Sequence, residues 1–284
     1  MNGLYISKLD TPEAGELARL PLRATTDESV EEEPDISHLL CESSESDSEE
    51  ETPPVTPKPF SDSPSLLLQP HEQQILRECS KFQGPTSAEL SERAVQLGEP
   101  SKKKTLFLDL DETLVHSDKQ ESANFQCSTA KGECVRVGGD VFLVRKRPFV
   151  DLFLQEAALK FEIVAFTAGV QEYADKIVQL LDPNRRYFSR TLARDHCIPR
   201  EGLFVKDLSI VRDRDLKDMV LVDNSLVSFS FNVDNGIPVT DFIAQDDDTQ
   251  LKELVELLGK IEAAADVRTL LRDLFGLQRA TVEC

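Results

Sequence analysis

The chain has 284 residues, of which 32 are basic and 52 acidic, giving a formal charge of −20 at pH 7. Direct binding to nucleic acid depends on Lys and Arg that neutralise phosphates, so this charge excludes a nucleic-acid-binding surface of that kind. Twelve acidic and no basic side chains lie within residues 27–51, so more than half of the net charge belongs to one short segment.

Residues 1–70 are predicted to form a disordered acidic and proline-rich leader, because six prolines between Pro53 and Pro70 follow the acidic run. Such a composition buries too little apolar surface to offset the entropy of ordering. The leader is a candidate kinase substrate, and a passive solubilising tail is the alternative. Its serines and threonines that resemble proline-directed or acidophilic kinase sites are Thr52, Thr56, Ser63, Ser44, Ser46 and Ser48.

The lack of a recognisable membrane span or signal peptide, together with the cysteine spacing, predicts an intracellular protein. No stretch approaches the roughly 18 apolar residues of a membrane span, and the N-terminus lacks the basic start and apolar core of a signal peptide. We therefore expect an intracellular protein of the nucleus or cytoplasm, or both. The six cysteines show no paired metal-binding spacing and are expected to be reduced thiols.

Helices are predicted over 71–82 and 87–97, the second opened by a capping box that begins at Thr86. They form a lead-in at 71–100, and the main domain is predicted at 101–284. A short apolar run at 105–108 is typical of a buried strand and begins this domain.

After this strand, helical and strand patterns alternate, as in an α/β domain. We predict a Rossmann-like parallel sheet with helices on both faces. The segments 133–137 and 141–147 flank two glycines and predict a small β-hairpin insertion, which an all-parallel sheet would not contain. The other predicted strands are 161–166, 219–222 and 237–239, and the other predicted helices are 148–159, 170–181, 247–261 and 266–275.

Two carboxylates follow the first strand, in the sequence DLDETL at 109–114. Asp109 and Asp111 are two residues apart, so on an extended backbone both side chains point to one side, at the sheet edge where open α/β folds bind ligands. Hard oxygen ligands at such an edge suit Mg²⁺, which shares its shell with waters and a substrate phosphate. An Asp-x-Asp pair after a strand also occurs as a turn or cap, so this motif alone leaves both interpretations open.

Three further segments fit the same chemistry. Asp223 and Asn224 end the strand at 219–222, where a neighbouring parallel strand would bring them to the metal. Thr167 ends the strand at 161–166, ahead of a helix start that favours phosphate oxygens. Lys206 stands in the mostly apolar sequence FVKDLS, although a lone lysine of this kind is more often a surface residue.

In this order, these segments resemble the haloacid-dehalogenase phosphatase superfamily, and within it the small phosphatases of the RNA polymerase II C-terminal domain and their nuclear-envelope relatives. The resemblance runs from about residue 104 to 275, and residues 1–100 take no part in it. The matching words are LDETLVHS at 110–117, RKRP at 145–148, FTA at 166–168, YAD at 173–175, VKDLS at 205–209 and DNS at 223–225.

The resemblance implies that Asp109 is the nucleophile that becomes an aspartyl phosphate, and that Asp111 is the general acid and then the general base. It also implies that Mg²⁺ is bound by the Asp109 side chain, the Asp111 backbone carbonyl and the Asn224 side chain, with Asp223 beside them.

For the substrate, the resemblance implies that Thr167 and Lys206 bind the phosphoryl oxygens, that Arg194 contacts the phosphopeptide and that Thr113 orients the loop. His116, His196 and Cys197 lie near these motifs and are interpreted as structural residues. The tryptophan-phenylalanine pair usual in the relatives is replaced here by the sequence TDF at 240–242, which weakens any inference about peptide preference.

The leading hypothesis is an Mg²⁺-dependent protein serine/threonine phosphatase, with Ser/Thr-Pro phosphosites such as those of the RNA polymerase II C-terminal domain among its candidate substrates. A phosphatase of metabolites or nucleic-acid ends is the second hypothesis, and the acidic charge argues against nucleic-acid ends. The third is a weakly active phosphopeptide-binding scaffold, which retention of all the predicted catalytic residues argues against.

Overall fold

The computed structural model describes residues 68–120 and 132–281. Its strands are β1 (Lys104–Leu108), β2 (Val115–Gln120), β3 (Glu133–Val137), β4 (Asp140–Lys146), β5 (Phe161–Phe166), β6 (Phe188–Leu192), β7 (Ile198–Arg200), β8 (Leu203–Val205), β9 (Met219–Asp223) and β10 (Gly236–Pro238). Its α-helices are α1 (Pro70–Ser80), α2 (Ser87–Glu92), α3 (Val150–Lys160), α4 (Gln171–Leu181), α5 (Gln250–Ala263), α6 (Val267–Phe275) and α7 (Leu277–Ala280).

A five-stranded parallel sheet flanked by helices forms the centre of the domain, with the strand order β10-β9-β1-β5-β6. The apolar residues Leu106, Phe107 and Leu108 of β1 are fully buried because strands and helices cover them on every side. Leu108 is in register with one residue of β5 and one of β9. The predicted α/β fold class is therefore confirmed, with β1 as the central strand.

The predicted hairpin is also present, as β3 and β4, which are antiparallel and turn through Gly138 at a φ of +56°. A third strand, β2, completes this separate sheet in the order β2-β4-β3. It was missed because its sequence VHSDKQ buries polar residues, which removes the apolar alternation of a half-buried strand. Cys134 on β3 is disulfide-bonded, so the prediction that all six cysteines are reduced is wrong at this position.

The lead-in packs against the domain rather than standing apart from it. Leu76 and Cys79 of α1 are buried, and the Arg93 Nε donates to the Cys197 carbonyl at 2.9 Å. The capping box at Thr86 is present, but α2 ends five residues earlier than predicted. The reason is tertiary pairing: the Val95 N–H donates to the Ile210 carbonyl at 2.9 Å, which draws the chain out of the helix.

Local backbone geometry explains where α3 begins and where α6 begins and ends. Phe149 adopts a left-handed conformation with φ of +65°, so α3 begins after it and not at the predicted residue 148. Asp266 caps α6 by accepting from the Arg268 N–H at 2.9 Å, and Gly276 ends that helix with φ of +60°, as predicted.

Within 68–120 and 132–281, no helix is long and apolar enough to cross a membrane. The leader up to residue 67, with its kinase-like sites, lies outside the described residues.

Candidate functional site

Two carboxylates meet where β1 and β9 end. Asp109 directly follows β1, Asp223 is the last residue of β9, and the Asp109 N–H donates to the Val222 carbonyl at 3.0 Å. Successive strands are added outward from β1 on one side and then on the other, so this edge is the topological switch point at which open α/β sheets bind ligands. Asp109 is 5% exposed and Asp223 is 1% exposed.

Lys206 bridges these two carboxylates. Its Nζ lies 2.6 Å from Asp109 Oδ1 and 2.5 Å from Asp223 Oδ2, and the residue is 2% exposed. Strand β8 ends one residue earlier, and the Lys206 N–H donates to the Ser228 carbonyl at 3.2 Å, which fixes the lysine backbone. Lys206 is therefore not the exposed surface lysine that its isolated sequence position also allowed.

Burial and charge compete at this cluster. Burial disfavours a charged lysine, but the carboxylates of Asp109 and Asp223 outweigh it, so the pKa of Lys206 is raised and the ammonium is retained. Burial, with the negative charge of Asp109, raises the pKa of Asp223 to about 7 against the opposing effect of Lys206. The second oxygen of Asp223 accepts from the Ser225 N–H at 2.8 Å. Asp223 thus has both oxygens engaged by protein groups.

Asp111 contacts a residue to which the sequence assigned no role. Its Oδ1 forms a short hydrogen bond with the hydroxyl of Tyr173, which also lies 2.7 Å from Ser117 Oγ. Desolvation of the Asp111 carboxyl, together with the negative charges of Glu112 and Asp109, raises its pKa well above the ordinary value. This environment favours a protonated Asp111. Tyr173 lies within the YAD segment, but no sequence signal showed that α4 carries it to this carboxyl.

Asn224 is held from two sides. Thr113 Oγ1 lies 3.2 Å from Asn224 Oδ1 and accepts from the Asn224 N–H at 3.2 Å. The Asn224 Nδ2 donates to Asp241 Oδ1 at 2.9 Å, which fixes the orientation of the amide. Asp241 was missed, because its only sequence signal was the departure from the tryptophan-phenylalanine pair.

Thr167 and Arg194 meet at the loop that follows β5. Thr167 is 1% exposed, and its Oγ1 accepts from the Gly169 N–H at 2.9 Å. The Arg194 Nε donates to the Ala168 carbonyl at 2.7 Å, and its guanidinium lies 5.1 Å from the centre of the Phe204 ring. Arg194 therefore contacts the loop of Thr167.

The neighbouring cysteine and histidine have environments that suit structural roles. Cys197 is 1% exposed, and burial raises the pKa of its thiol to about 12, which disfavours the nucleophilic thiolate. Burial lowers the pKa of His196. These environments agree with the structural interpretation given to both residues.

Glu112 is a buried carboxyl beside the site. Burial, with the negative charge of Asp109, raises the pKa of Glu112 to about 9. Its Oε1 lies 3.3 Å from His116 Nδ1, and neither atom has a hydrogen bond of good geometry. His116 Nε2 lies 3.2 Å from Asp118 Oδ1. At pH values between the ordinary pKa of a glutamate and about 9, Glu112 therefore keeps its proton in the folded protein but loses it in the unfolded chain.

Glu112→Gln is expected to make the metal-free protein more stable than the parent at pH 8, with little difference at pH 4.5. The parent loses stability as pH rises through this window, by an amount on the order of 1 kcal/mol per pH unit, whereas glutamine has no proton to lose. Urea unfolding midpoints at several pH values in EDTA measure the difference. A glutamine variant less stable than the parent at pH 8 would indicate an ionised Glu112 paired with His116.

The donor set at this edge determines what kind of metal it suits. Among residues 68–120 and 132–281, no group of three or more His, Cys, Asp or Glu side chains is arranged to hold a metal ion. The predicted ligand set does not require one, because it consists of one carboxylate, one amide oxygen and one backbone carbonyl. Mg²⁺ is commonly bound by one or two carboxylates while it keeps several waters. The oxygens of Asp109, Asn224 and Asp111 therefore fit Mg²⁺ and do not fit a thiolate- or imidazole-bound metal.

Comparison with known proteins identifies the family. A family profile described as "NLI interacting factor-like phosphatase" matches residues 104–268, more than half of the chain. The chain therefore belongs to this family of phosphatases.

Curated relatives carry related names. The chain is 40% identical over 185 residues to CTD small phosphatase-like protein 2 of Dictyostelium discoideum, covering 62% of this chain and 30% of that protein. It is 36% identical to nuclear envelope morphology protein 1 of Saccharomyces cerevisiae, with 60% and 42% covered, and 37% identical to CTD nuclear envelope phosphatase 1B of Danio rerio, with 60% and 71% covered. The match thus spans less than half of the first two relatives.

A similar solved structure is that of the fission yeast RNA polymerase II CTD phosphatase Fcp1 bound to beryllium fluoride. It has a TM-score of 0.40 and 18% identity, and 61% of each chain is covered.

Proposed function

We propose that this chain is an Mg²⁺-dependent protein serine/threonine phosphatase that acts through an aspartyl phosphate on Asp109. The observation that carries the proposal is the bridge from Lys206 to Asp109 and Asp223 at the switch point of the sheet. A buried carboxylate beside a retained ammonium group is suited to attack a phosphate dianion, because the cation offsets the repulsion between two anions.

The two aspartates divide the work. An ionised Asp109 oxygen attacks phosphorus, and the bond between phosphorus and the serine or threonine oxygen breaks. Asp111 gives its proton to the departing oxygen, and its raised pKa favours the protonated form needed for this step. In the second step Asp111 accepts a proton from water, which attacks phosphorus and releases Asp109 and inorganic phosphate. Tyr173 holds the Asp111 carboxyl in place throughout.

Charge on the transferring phosphoryl group is met by the residues around the cluster. Lys206 provides a fixed positive charge, and Thr167 provides a hydroxyl at the end of β5. Arg194, which follows β6 and contacts the loop after Thr167, is available to bind the phosphopeptide. When bound, Mg²⁺ would supply further positive charge to the phosphoryl oxygens, held by the Asp109 side chain, the Asp111 carbonyl and the Asn224 side chain. Thr113 and Asp241 would orient Asn224 for this task.

The substrate is proposed to be a phosphoprotein, with Ser/Thr-Pro sites such as those of the RNA polymerase II C-terminal domain among the candidates. In the described residues, the insertion between the first two motifs forms a small three-stranded sheet, and its small size favours access for a polypeptide. The relatives' names support phosphoprotein substrates and favour the nucleus or its envelope as the place of action, within the expected nuclear or cytoplasmic location. The net charge of −20 argues against nucleic-acid ends as substrates.

Metal removal tests the proposal. EDTA is expected to abolish hydrolysis of a phosphoserine-proline peptide, Mg²⁺ is expected to restore it, and beryllium fluoride with Mg²⁺ is expected to inhibit by imitating the aspartyl phosphate. Iodoacetamide is the control, because the reaction gives the buried Cys197 no task. Inactivation that follows labelling of Cys197, with no effect of EDTA, would mean a different enzyme class.

A further inference from the structure

Arg147 is a buried arginine to which neither the sequence motifs nor the proposed reaction assigns a role. It follows β4 at the end of the insertion, and its side chain is shielded from solvent. Its guanidinium forms a two-pronged ion pair with Asp248, from Nε to Oδ1 at 2.9 Å and from Nη2 to Oδ2 at 2.7 Å. This planar geometry is specific to arginine and cannot be reproduced by lysine.

The remaining donors of Arg147 join two separate segments. Nη1 donates to the backbone carbonyls of Glu112 and Thr113, at 3.4 and 3.2 Å, in the loop that carries Asp111. Nη2 also donates to Thr240 Oγ1 at 3.3 Å and to Gln250 Oε1 at 3.0 Å. Arg147 thus connects the loop after β1 to the segment at 240–250 through hydrogen bonds to both.

Asn224 lies between these two segments. Thr113 contacts it from the loop after β1, and Asp241 accepts from its Nδ2 from the other side. The Phe242 N–H donates to the Glu112 carbonyl at 2.8 Å, and the Arg147 guanidinium lies 5.6 Å from the centre of the Phe242 ring. The distance between the two groups that orient the Asn224 amide is therefore set by a contact network with Arg147 at its centre.

We propose that the ion pair of Arg147 and Asp248 is a positioning element for the metal ligand Asn224, and that it thereby sets the affinity of the site for Mg²⁺. This inference rests on the proposed function, in which Asn224 binds the metal. Arg147 acts through Thr113 and Asp241 and does not itself touch the metal. Outer partners that orient metal ligands typically change metal affinity by about 10- to 100-fold when they are lost.

The test measures metal binding directly on the full chain, with Mn²⁺ as the EPR probe and Mg²⁺ as the competitor. Arg147→Lys and Asp248→Asn are both expected to weaken Mg²⁺ binding by about 10-fold or more. They are also expected to raise the Mg²⁺ concentration for half-maximal activity by a similar factor, with little change in KM for the phosphopeptide at saturating Mg²⁺. Asp248→Asn decides the question if Arg147→Lys does not fold.

Arg214→Lys is the matched control, because Arg214 is another arginine with a largely shielded side chain, and it pairs with a carboxylate, Glu162, at 2.9 Å. Glu162 lies at the opposite end of β5 from Thr167, so this variant is expected to lose stability without changing Mg²⁺ affinity. The inference would be overturned if Arg147→Lys and Arg214→Lys changed Mg²⁺ affinity by the same factor. Unchanged Mg²⁺ affinity in both Arg147→Lys and Asp248→Asn would overturn it as well.

Asp109→Asn in the full chain defines the background from Mn²⁺ bound by the acidic leader. If the parent binds no more Mn²⁺ than Asp109→Asn does, the proposed metal site itself is wrong, and the inference falls with it. Specific Mn²⁺ binding in the parent, with unchanged metal affinity in Arg147→Lys and Asp248→Asn, would overturn this inference alone. The proposed function would then still stand.

Discussion

Asp109→Asn is expected to lower kcat for a phosphopeptide by at least about 10³-fold, because the substitution removes the attacking carboxylate and one metal ligand without changing the side-chain shape. The protein should stay folded, since the amide can still accept a hydrogen bond from Lys206, whose second carboxylate partner, Asp223, remains. Steady-state kinetics and circular dichroism measure the two effects.

The matched control for this variant is Asp182→Asn. Asp182 is also buried, at 2% exposed, but it accepts from the backbone N–H groups of Arg186 and Tyr187 after the end of α4. The Asp182→Asn protein should be less stable than the parent but should keep the parent turnover rate. An Asp109→Asn protein that hydrolyses the peptide at the parent rate would exclude Asp109 as the nucleophile.

Lys206→Met is expected to have the largest combined effect, abolishing activity and lowering the free energy of unfolding by about 3–5 kcal/mol at pH 7. The substitution leaves Asp109 and Asp223 buried together without a cation. The pKa of Asp223, which burial already raises, should then rise further above its value in the unfolded chain, so part of the lost stability should return as pH falls and this carboxyl becomes protonated. Urea unfolding at pH 7 and pH 5 measures both parts.

Lys104→Met separates stability from function. Lys104 is also buried, at 1% exposed, and its Nζ contacts Asp218 Oδ1 at 3.2 Å and the Ala264 carbonyl at 2.7 Å, where β1 begins. Its loss should destabilise the fold while Mg²⁺-saturated turnover remains near the parent value. If the two methionine variants lose activity to the same extent, Lys206 has no special role in the reaction.

The sequence was most informative where a short apolar strand ends in polar residues. Asp109, Asp223 and Thr167 were predicted at one edge of the sheet because parallel strands end together, and the structure places all three there. Lys206 was a candidate because of its mostly apolar segment, and its role was assigned only through the family resemblance, since such a segment is also typical of a surface lysine. Its bridge to two carboxylates depends on β8, a three-residue strand too short to give a periodic signal.

Residues that act through long-range contacts could not be predicted in the same way. Tyr173 reaches Asp111 across 62 residues of sequence, and Arg147 reaches Asp248 across 101. No local pattern encodes such a pair, because each partner is also common as an ordinary helix or loop residue. The early end of α2 has the same origin, since Val95 pairs with residues more than a hundred positions away.

Trapping the covalent intermediate on Asp109 is the most direct test of the proposed mechanism. Asp111→Asn should slow the hydrolysis of the intermediate, and p-nitrophenyl phosphate releases a leaving group that needs little help from a general acid. Rapid acid quench of this variant with labelled substrate and Mg²⁺ should then trap phosphate on the protein, in a linkage cleaved by hydroxylamine and mapped to Asp109 by mass spectrometry. Turnover without any trapped label, or label mapped to a histidine or cysteine, would contradict nucleophilic attack by Asp109.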